Sequence, residues 1–350
     1  MKTIKDLDVK NKTILVRVDY NVPIKDGKVE NDLRIRASLS TINYLLEHDA
    51  KKIILISHLG RPEGQENLDF TLNPVADTLK KLLKDVKIGF YPLPKKDEKI
   101  PIPTDVKIAL LENLRFNSGE EANDTDFIGN IVKSVDAEVY VQDGFAVLHR
   151  AHASTDAIKH HLPIYAGLLL ETEINNLKSA TKNPAHPVLL IIGGAKVEDK
   201  QPLIDKFTAI ADRIFVGGKI AADGYKPTHD KITVATDFDE NETGDKLDIG
   251  PLSTGELAKF ITNAKTIIWN GLLGYAEDPA YSTASTIAAE LIGEHQSAET
   301  IICGGDTTGF VENLIKTHSS LHYSLVSTGG GATLEFLLGK KLPGLEAISS

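Results

Sequence analysis

The chain has 350 residues, 41% of them hydrophobic and 25% charged, a composition that excludes disordered, collagen-like and coiled-coil proteins. Its 39 Lys and Arg against 49 Asp and Glu give a net charge of −10, which argues against a general binder of nucleic acid or anionic membranes. The single cysteine, Cys303, cannot form an internal disulfide, and residues 1–12 contain no apolar signal segment. We expect a cytoplasmic protein, long enough for two domains.

Short aliphatic runs alternate with amphipathic runs along the first half of the chain. The predicted strands are 13–18, 52–56, 106–111 and 138–141. Helices are predicted over 34–47, from an N-cap at Asn73 followed by Pro74, and over 124–135. Buried strands that alternate with helices indicate a parallel sheet covered on both faces.

The second half repeats this alternation. Its predicted strands are 188–192, 213–216, 231–235, 266–269, 300–303 and 323–327, and helices include 255–263 and 309–316. A long helix over 166–182 is predicted to connect the halves, and the acidic stretch 237–248 is predicted to be a surface loop. The sequence therefore predicts an α/β fold of two doubly wound parallel-sheet, Rossmann-like domains joined by an interdomain helix.

Arg and His side chains follow the predicted strands of the first half. Because ligands of open α/β sheets bind beyond the carboxyl ends of the strands, these side chains predict a site for a small polyanion. Helix caps and loop salt bridges are the alternative for any one residue, but their recurrence after several strands favours a site. The residues are Asp19, Asn21, His58, Arg61, Arg115, Asp143, His149, Arg150 and His152.

Glycine follows the predicted strands of the second half, at 193–194, 217–218, 271, 304–305 and 329–331. Glycine lets the backbone approach a phosphate, although a tight turn explains any single pair equally well. Lys196 and Lys200 lie four residues apart, on one face of a helix that begins there. Asp306 falls at a predicted N-cap, where it either caps the helix or binds Mg²⁺.

Several common catalytic motifs are absent. The sequence contains no GxxxxGK[ST] pattern, no GxGxxG after the first strand, and no HExxH, CxxC or GxSxG. P-loop NTPases, ordinary dehydrogenases, zinc enzymes and the common hydrolases are therefore disfavoured. The interpretation that remains is a protein with one anion-binding domain and one phosphate-binding domain.

Ten strings in this order resemble the phosphoglycerate kinase family over essentially the whole length of the chain. They are RVDYNVP (17–23), RIRASLSTI (34–42), SHLGRP (57–62), LLENLRF (110–116), HRAHAST (149–155), IGGAKVEDK (192–200), LDIGP (247–251), IIWNG (267–271), GGDT (304–307) and STGGGATLEFLLGKKLPG (327–344). The resemblance implies an N-terminal 3-phosphoglycerate-binding domain over 1–165 with the tail 336–350. A hinge and the interdomain helix 166–182 would join it to a shortened C-terminal nucleotide-binding domain over 183–335.

The resemblance also implies a reaction and its residues. The reaction is reversible, Mg²⁺-dependent phosphoryl transfer from 1,3-bisphosphoglycerate to ADP, in glycolysis and gluconeogenesis, by a monomer whose hinge closes. Implied contacts of 3-phosphoglycerate are Asp19, Asn21, Arg34, His58, Arg61, Arg115 and Arg150. Implied contacts of the nucleotide are Lys200, Gly194, Gly217, Gly250, Asn270, Glu277, Gly304, Gly305, Asp306 and Thr307, with Asp306 linked to Mg²⁺. Arg34, Lys196 and the backbone of Gly329 and Gly330 would stabilise the transferred phosphoryl group.

The chain departs from the family pattern mainly on the nucleotide side. Lys219 and Ile220 follow Gly217-Gly218, where a third glycine and methionine are expected, and the stretch 221–248 is short. Leu272 replaces proline and Cys303 replaces the first of three glycines, while Asp-Gly-Phe-Ala stands at 143–146 instead of Asp-Ala-Phe-Gly. Altered purine specificity, a related acyl-phosphate kinase and a catalytically silent binding protein are the alternatives. Intact Arg34, Lys196 and Asp306 argue against the last.

Overall fold

The computed structural model describes residues 1–349 of two compact units. The first unit comprises Met1–Thr172 and the segment from Lys341 onward, and the second comprises Glu173–Lys340. Each unit contains a parallel sheet of six strands with helices around it, which confirms the predicted fold class. The roles and exact limits of the predicted domains stay predictions. No helix within residues 1–349 combines the length and the apolar character needed to cross a membrane.

The first unit is built on a sheet with the strand order β5-β6-β4-β1-β7-β8. Its strands are β1 (Thr13–Arg17), β4 (Lys52–Ile56), β5 (Ile88–Tyr91), β6 (Ile108–Leu111), β7 (Val139–Gln142) and β8 (Ile164–Ala166), and a separate hairpin is formed by β2 (Ile24–Lys25) and β3 (Lys28–Val29). Its helices are α1 (Leu33–Ala37), α2 (Leu39–Glu47), α3 (Asn73–Leu82), α4 (Ser118–Glu121) and α5 (Thr125–Ser134). Helix α6 (Leu168–Lys182) contains the point at which the two units divide.

Both faces of the first sheet are buried, which explains why its strands are apolar without interruption. Ile14 and Val16 of β1 belong to one hydrophobic cluster, whereas Leu15 belongs to another. Ile53 of β4 lies in the first cluster and Ile54 in the second. Successive side chains of a strand point to opposite faces, so each face has its own core beneath its own helices.

The second unit has the strand order β11-β10-β9-β14-β15-β16, the arrangement of a dinucleotide-binding fold. Its strands are β9 (Val188–Ile192), β10 (Arg213–Val216), β11 (Ile232–Val234), β14 (Thr266–Asn270), β15 (Glu299–Cys303) and β16 (Leu325–Val326), with a hairpin of β12 (Phe238–Glu240) and β13 (Lys246–Ile249). Its helices are α7 (Val197–Phe207), α8 (Gly218–Ala222), α9 (Pro251–Asn263), α10 (Thr283–Glu294), α11 (Gly305–Thr317) and α12 (Gly331–Leu337), and α13 (Pro343–Ser349) returns to the first unit.

Short 3₁₀ helices complete the described structure, at Ile4–Asp6, Leu68–Phe70, Leu114–Phe116, Phe145–Val147, Ala157–His160 and Pro279–Tyr281. Two predictions of helix were wrong in detail. The single helix predicted over 34–47 is interrupted at Ser38, whose hydroxyl donates to Ile35 O at 2.8 Å and contacts Tyr20 Oη at 2.9 Å. A serine side chain that bonds to the preceding turn competes with the helical backbone. The helix predicted from an Asn73 N-cap instead includes Asn73.

The predicted surface loop over 237–248 is also wrong, because β12 and β13 form an antiparallel hairpin there. Phe238 packs against the hydrophobic core of the second unit, and Ile249 is buried. The turn between the strands is held by Asn241 Oδ1, which accepts from the amides of Thr243 and Asp245. A two-stranded hairpin is marginally stable alone, so the packing of Phe238 and Ile249 against the core anchors it.

Candidate functional site

The carboxyl ends of β1, β4, β6 and β7 deliver the predicted anion-binding residues. Asp19 lies two residues beyond β1, and His58 lies two residues beyond β4. Arg115 belongs to the 3₁₀ helix that follows β6, and Arg150 follows β7 after another short helix. Because neighbouring strands are parallel, these segments emerge at the same edge of the sheet.

His58 is buried and is held by Arg17, the last residue of β1. Arg17 is 1% exposed, and its Nη2 lies 3.1 Å from His58 Nδ1. A guanidinium only donates, so Nδ1 is the acceptor and the proton of the neutral imidazole lies on Nε2. Burial, followed by the charges of Arg17, Arg115, Arg150 and Arg34, holds the pKa of His58 well below its usual range. His58 is therefore a neutral hydrogen-bond donor surrounded by arginines.

Arg34 is positioned by the loop that follows β1. Its Nη1 donates to Asp19 Oδ2 at 2.6 Å and to the carbonyl of Asn21 at 3.3 Å. The side-chain oxygen of Asn21 accepts from Gly60 N at 2.9 Å, which ties this loop to the segment after β4. Asp19, Asn21 and Arg34 are thus brought together as the sequence predicted. Arg61, which follows Gly60, is exposed.

Positive charge is added to the same edge by Arg115, which is buried, and by Arg150, which is half-buried. Arg115 Nη1 donates to Gly60 O at 2.6 Å, and its Nε lies 3.1 Å from Glu121 Oε1. Burial lowers the pKa of Arg115. Arg150 Nε donates to His149 Nε2 at 3.1 Å. Arginines outnumber the acidic groups beside them, which is the electrostatic requirement for holding a multiply charged anion.

Sequence reasoning missed the buried residues that support this cluster. Arg17 Nε donates to Ser154 Oγ at 2.8 Å, and Ser154 in turn donates to Glu120 Oε1 at 2.6 Å. Glu120 is fully buried and also accepts from Ser154 N at 3.0 Å. An arginine at the end of the strand TILVR was the available signal, because a charge that interrupts a buried strand needs a buried partner.

Glycines at the strand ends of the second unit divide into two groups. A Cβ on Gly193 would overlap the carbonyl oxygen of Leu272, and one on Gly271 would overlap that of Gly193. A Cβ on Gly218 would lie 2.7 Å from the Leu272 oxygen and 2.8 Å from Gly194 N. Gly193, Gly218 and Gly271 are therefore required by the close approach of three loops, and phosphate binding is not needed to explain them.

Glycines of the second group face open space. Nothing lies within 4 Å of a Cβ placed on Gly305 or Gly330, and on Gly194 the nearest atom would be Lys200 Cε at 3.9 Å. Gly304, with φ +94°, is the N-cap of α11, and a Cβ placed on it would make ordinary contacts at 3.5 Å with Asn270 and Thr307. The first amides of α11 point out of its N-terminal end. These positions could face a phosphate. Gly217 and Gly250 instead pack against Leu273 and Asp237, as a Cβ on either would collide there.

The N-cap predicted at Asp306 is wrong, since α11 begins at Gly305 and Asp306 is its second residue. Asp306 is exposed, whereas Thr307 is buried and its Oγ1 accepts from Gly271 N at 2.8 Å. Within residues 1–349 no three His, Cys, Asp or Glu side chains are grouped around a metal position. A single exposed carboxylate fits Mg²⁺ that keeps water and phosphate oxygens as its other ligands.

The two predicted lysines differ in their surroundings. Lys196 is the exposed N-cap of α7, with an extended backbone, so it does not share a helical face with Lys200. Lys200 lies one turn into α7, and its ammonium donates to Asn270 Oδ1. Burial lowers the pKa of Lys200. Glu277 is exposed and accepts from the hydroxyl of Tyr275, whose pKa it raises.

The loop after β16 is fixed from within the second unit. Ser327 Oγ donates to Glu173 Oε2 at 2.7 Å and accepts from Gly329 N at 3.1 Å. Gly330 has φ +50° and is followed by α12. The backbone of Gly329 and Gly330 is thereby held at the carboxyl edge of the sheet.

Comparison with known proteins supports the family resemblance over nearly the whole chain. The phosphoglycerate kinase family model matches residues 4–226 and 221–340. The phosphoglycerate kinase from Coxiella burnetii is 31% identical with a TM-score of 0.80, over 99% of this chain and 98% of that chain. The enzyme from Pyrococcus horikoshii is 26% identical with a TM-score of 0.83, over 100% and 98%.

The fold and these matches define a phosphotransferase with a carboxyl group as acceptor. The chain belongs to the phosphoglycerate kinase family. The predicted resemblance and class of enzyme are confirmed. The assignment of individual residues to the two substrates stays a prediction, developed below.

Proposed function

We propose that the chain catalyses reversible phosphoryl transfer between 1,3-bisphosphoglycerate and ADP, giving 3-phosphoglycerate and ATP. The observation that carries the substrate assignment is the neutral, buried His58 amid Arg17, Arg34, Arg115 and Arg150. A triose acid with a carboxylate and a phosphate matches such a cluster. Asp19, Asn21 and Arg61 complete the proposed site.

Transfer from ATP requires no general base in this proposal. The acceptor carboxylate has an ordinary pKa of about 4 and is ionised at neutral pH. His58 cannot serve as a base through Nδ1, which is occupied by Arg17. It donates instead from Nε2 and so helps to orient the anion.

Charge stabilisation is assigned to residues of both units. Arg34 from the first unit, and Lys196 with the backbone of Gly329 and Gly330 from the second, would stabilise the phosphoryl group in transfer. A well-placed donor contributes about 3–4 kcal/mol to such a transition state. Substrates bound to different domains must be brought together, so we expect hinge closure that excludes water.

The nucleotide is assigned to the glycines that no loop contact requires and to the side chains around them. Lys200 would bind its phosphates, Glu277 would contact the nucleotide, and Asp306 would hold the accompanying Mg²⁺. Bound Mg²⁺ supplies positive charge to the phosphate oxygens. Gly194, Gly304, Gly305 and the α11 amides would line the phosphates. Gly217, Gly250, Asn270 and Thr307 would support this surface from behind. We expect a cytoplasmic monomer.

A coupled assay with 3-phosphoglycerate, Mg²⁺ and either ATP or GTP tests the proposal. Turnover with ATP supports it, and turnover with GTP alone would assign altered purine specificity to the short stretch 221–248. No turnover by folded protein would favour a silent binding protein, whereas turnover only with another phosphorylated acid would favour a related acyl-phosphate kinase. Replacing Lys196 by Ala should reduce kcat severely, while the exposed Lys206→Ala change on the same helix should not.

A further inference from the structure

A chain of buried hydrogen bonds joins the ends of β14 and β15 in the second unit. Asn270 and Cys303 end these neighbouring strands and are register partners. Asn270 is 3% exposed and Cys303 is fully buried. The Asn270 Nδ2 donates to Cys303 Sγ at 3.2 Å, and the thiol donates to the carbonyl of Trp269 at 3.5 Å.

The direction of this chain fixes the orientation of the Asn270 amide. Lys200 also bonds to this amide, and its ammonium has protons but no lone pair, so the atom facing it must be Oδ1. The amide nitrogen then points to Cys303, where the sulfur accepts because the thiol proton is given to Trp269. Lys200 therefore donates to Asn270, Asn270 to Cys303, and Cys303 to the carbonyl of Trp269. The two side chains in the middle each accept one hydrogen bond and donate the next.

The same arrangement places the Lys200 ammonium near Gly194 and Gly304. The Lys200 stem passes Gly194, and a Cβ placed on Gly304 would lie 3.5 Å from both Oδ1 and Nδ2 of Asn270. The negative charge of Asp306 acts on Lys200 from α11. The Lys200 ammonium therefore lies at the carboxyl edge of the sheet, where the nucleotide phosphates are proposed to bind. Its hydrogen bond to the Asn270 amide fixes its position there.

We propose that Cys303 is a positioning residue for nucleotide binding, which acts through Asn270 to hold the ammonium of Lys200. This inference rests on the proposed role of Lys200. The family resemblance leads one to expect glycine at position 303, and glycine has no side-chain atom that could accept from Asn270. Without the sulfur, the buried amide nitrogen loses its acceptor, and the preference of Oδ1 for Lys200 is weakened.

Two replacements of nearly equal volume test this role. Cys303→Ser keeps an acceptor for Asn270, whereas Cys303→Ala removes it, so the pair differs by one oxygen atom. ADP and 3-phosphoglycerate Kd values are measured by titration calorimetry, with thermal unfolding as a control for packing. We expect Cys303→Ala to weaken ADP binding about fivefold, the effect of one lost hydrogen bond. Cys303→Ser should remain near the parent, and 3-phosphoglycerate binding should not change in either.

Equal ADP affinity of the Ser and Ala variants would overturn the inference, because a packing role does not distinguish them. If Cys303→Ala fails to fold, Cys303→Val provides the comparison without an acceptor. Lys200→Ala separates this result from a failure of the proposed function. If Lys200→Ala leaves the ADP Kd unchanged, the assignment of Lys200 falls and the inference with it. If it weakens binding, adding Cys303→Ala to it should cause no further loss, and an additive loss would show that Cys303 acts independently of Lys200.

Discussion

His152 should make the first unit sensitive to acid. Burial, followed by the charges of Arg115, Arg150 and Arg17, lowers the pKa of His152 from 6.5 to about 4. Glu120 lies 3.9 Å from its Nδ1, but the Glu120 oxygens accept from Ser154. His152 is therefore neutral in the folded protein near pH 5, where an unfolded histidine is mostly protonated.

The sign and size of the effect follow from proton linkage. Between pH 4 and 6.5 the unfolded state binds the proton and the folded state does not, so stability rises with pH in this window. For a pKa lowered to about 4, His152 alone should reduce the free energy of unfolding by about 2 kcal/mol between pH 7 and pH 5. The neutral His152→Gln variant should lack this contribution.

Urea unfolding of the parent and of His152→Gln at pH 7 and pH 5, followed by circular dichroism, measures the difference. Comparing variants in pairs cancels the contribution of the second unit. The loss on acidification should be about 2 kcal/mol smaller in the variant. The exposed His160→Gln variant should behave as the parent. Identical pH dependence of the parent and His152→Gln would refute the reasoning.

Three other changes have defined outcomes. In steady-state assays, Arg150→Ala should raise the KM for 3-phosphoglycerate far more than that for nucleotide, and the reverse would exchange the proposed sites. Burial raises the pKa of Asp248 to about 6, so its contribution to stability should fall by about 2 kcal/mol as pH rises from 4 to 7. In Asp248→Asn the free energy of unfolding should depend less on pH over that range, and an unchanged pH dependence would contradict the assigned role of Asp248. Gly193→Ala should lower the Tm strongly because its Cβ would overlap Leu272, whereas Gly305→Ala, with open space around it, should not; equal Tm values would contradict the packing argument.

The interior of each sheet was predictable because a strand buried on both faces is apolar throughout. Strands such as β9 and β10 have the predicted limits. The edge strands β5 and β8 were missed, because they are half-buried and lack that signature. The β12–β13 hairpin was missed since its acidic turn outweighs the two apolar residues at its base.

At the site, the sequence predicted which residues lie at the carboxyl edge of the sheet, but it did not predict the buried contacts that hold them in place. Residues that follow the strands meet at one edge by topology alone, which is why Asp19, His58 and Arg115 are brought together. Arg34 lies in α1, was predicted only from the family resemblance, and is held at this edge by its bond to Asp19. Arg17 is bonded to Ser154, which lies more than 100 residues further along the chain. Ser154 is in turn bonded to Glu120. Such contacts depend on packing and leave no local pattern.

The three interlocked glycine loops have a consequence for motion. Gly193 N donates to Asn270 O at 3.1 Å, Gly194 N to Leu272 O at 2.8 Å and Gly217 N to Ile192 O at 2.8 Å. Binding loops are usually among the least stable parts of a protein and open independently. Here no loop can open without breaking its bonds to a neighbour, so their amide protons should exchange with solvent together and slowly. The surface next to the proposed phosphate positions thus shares the stability of the sheet beneath it.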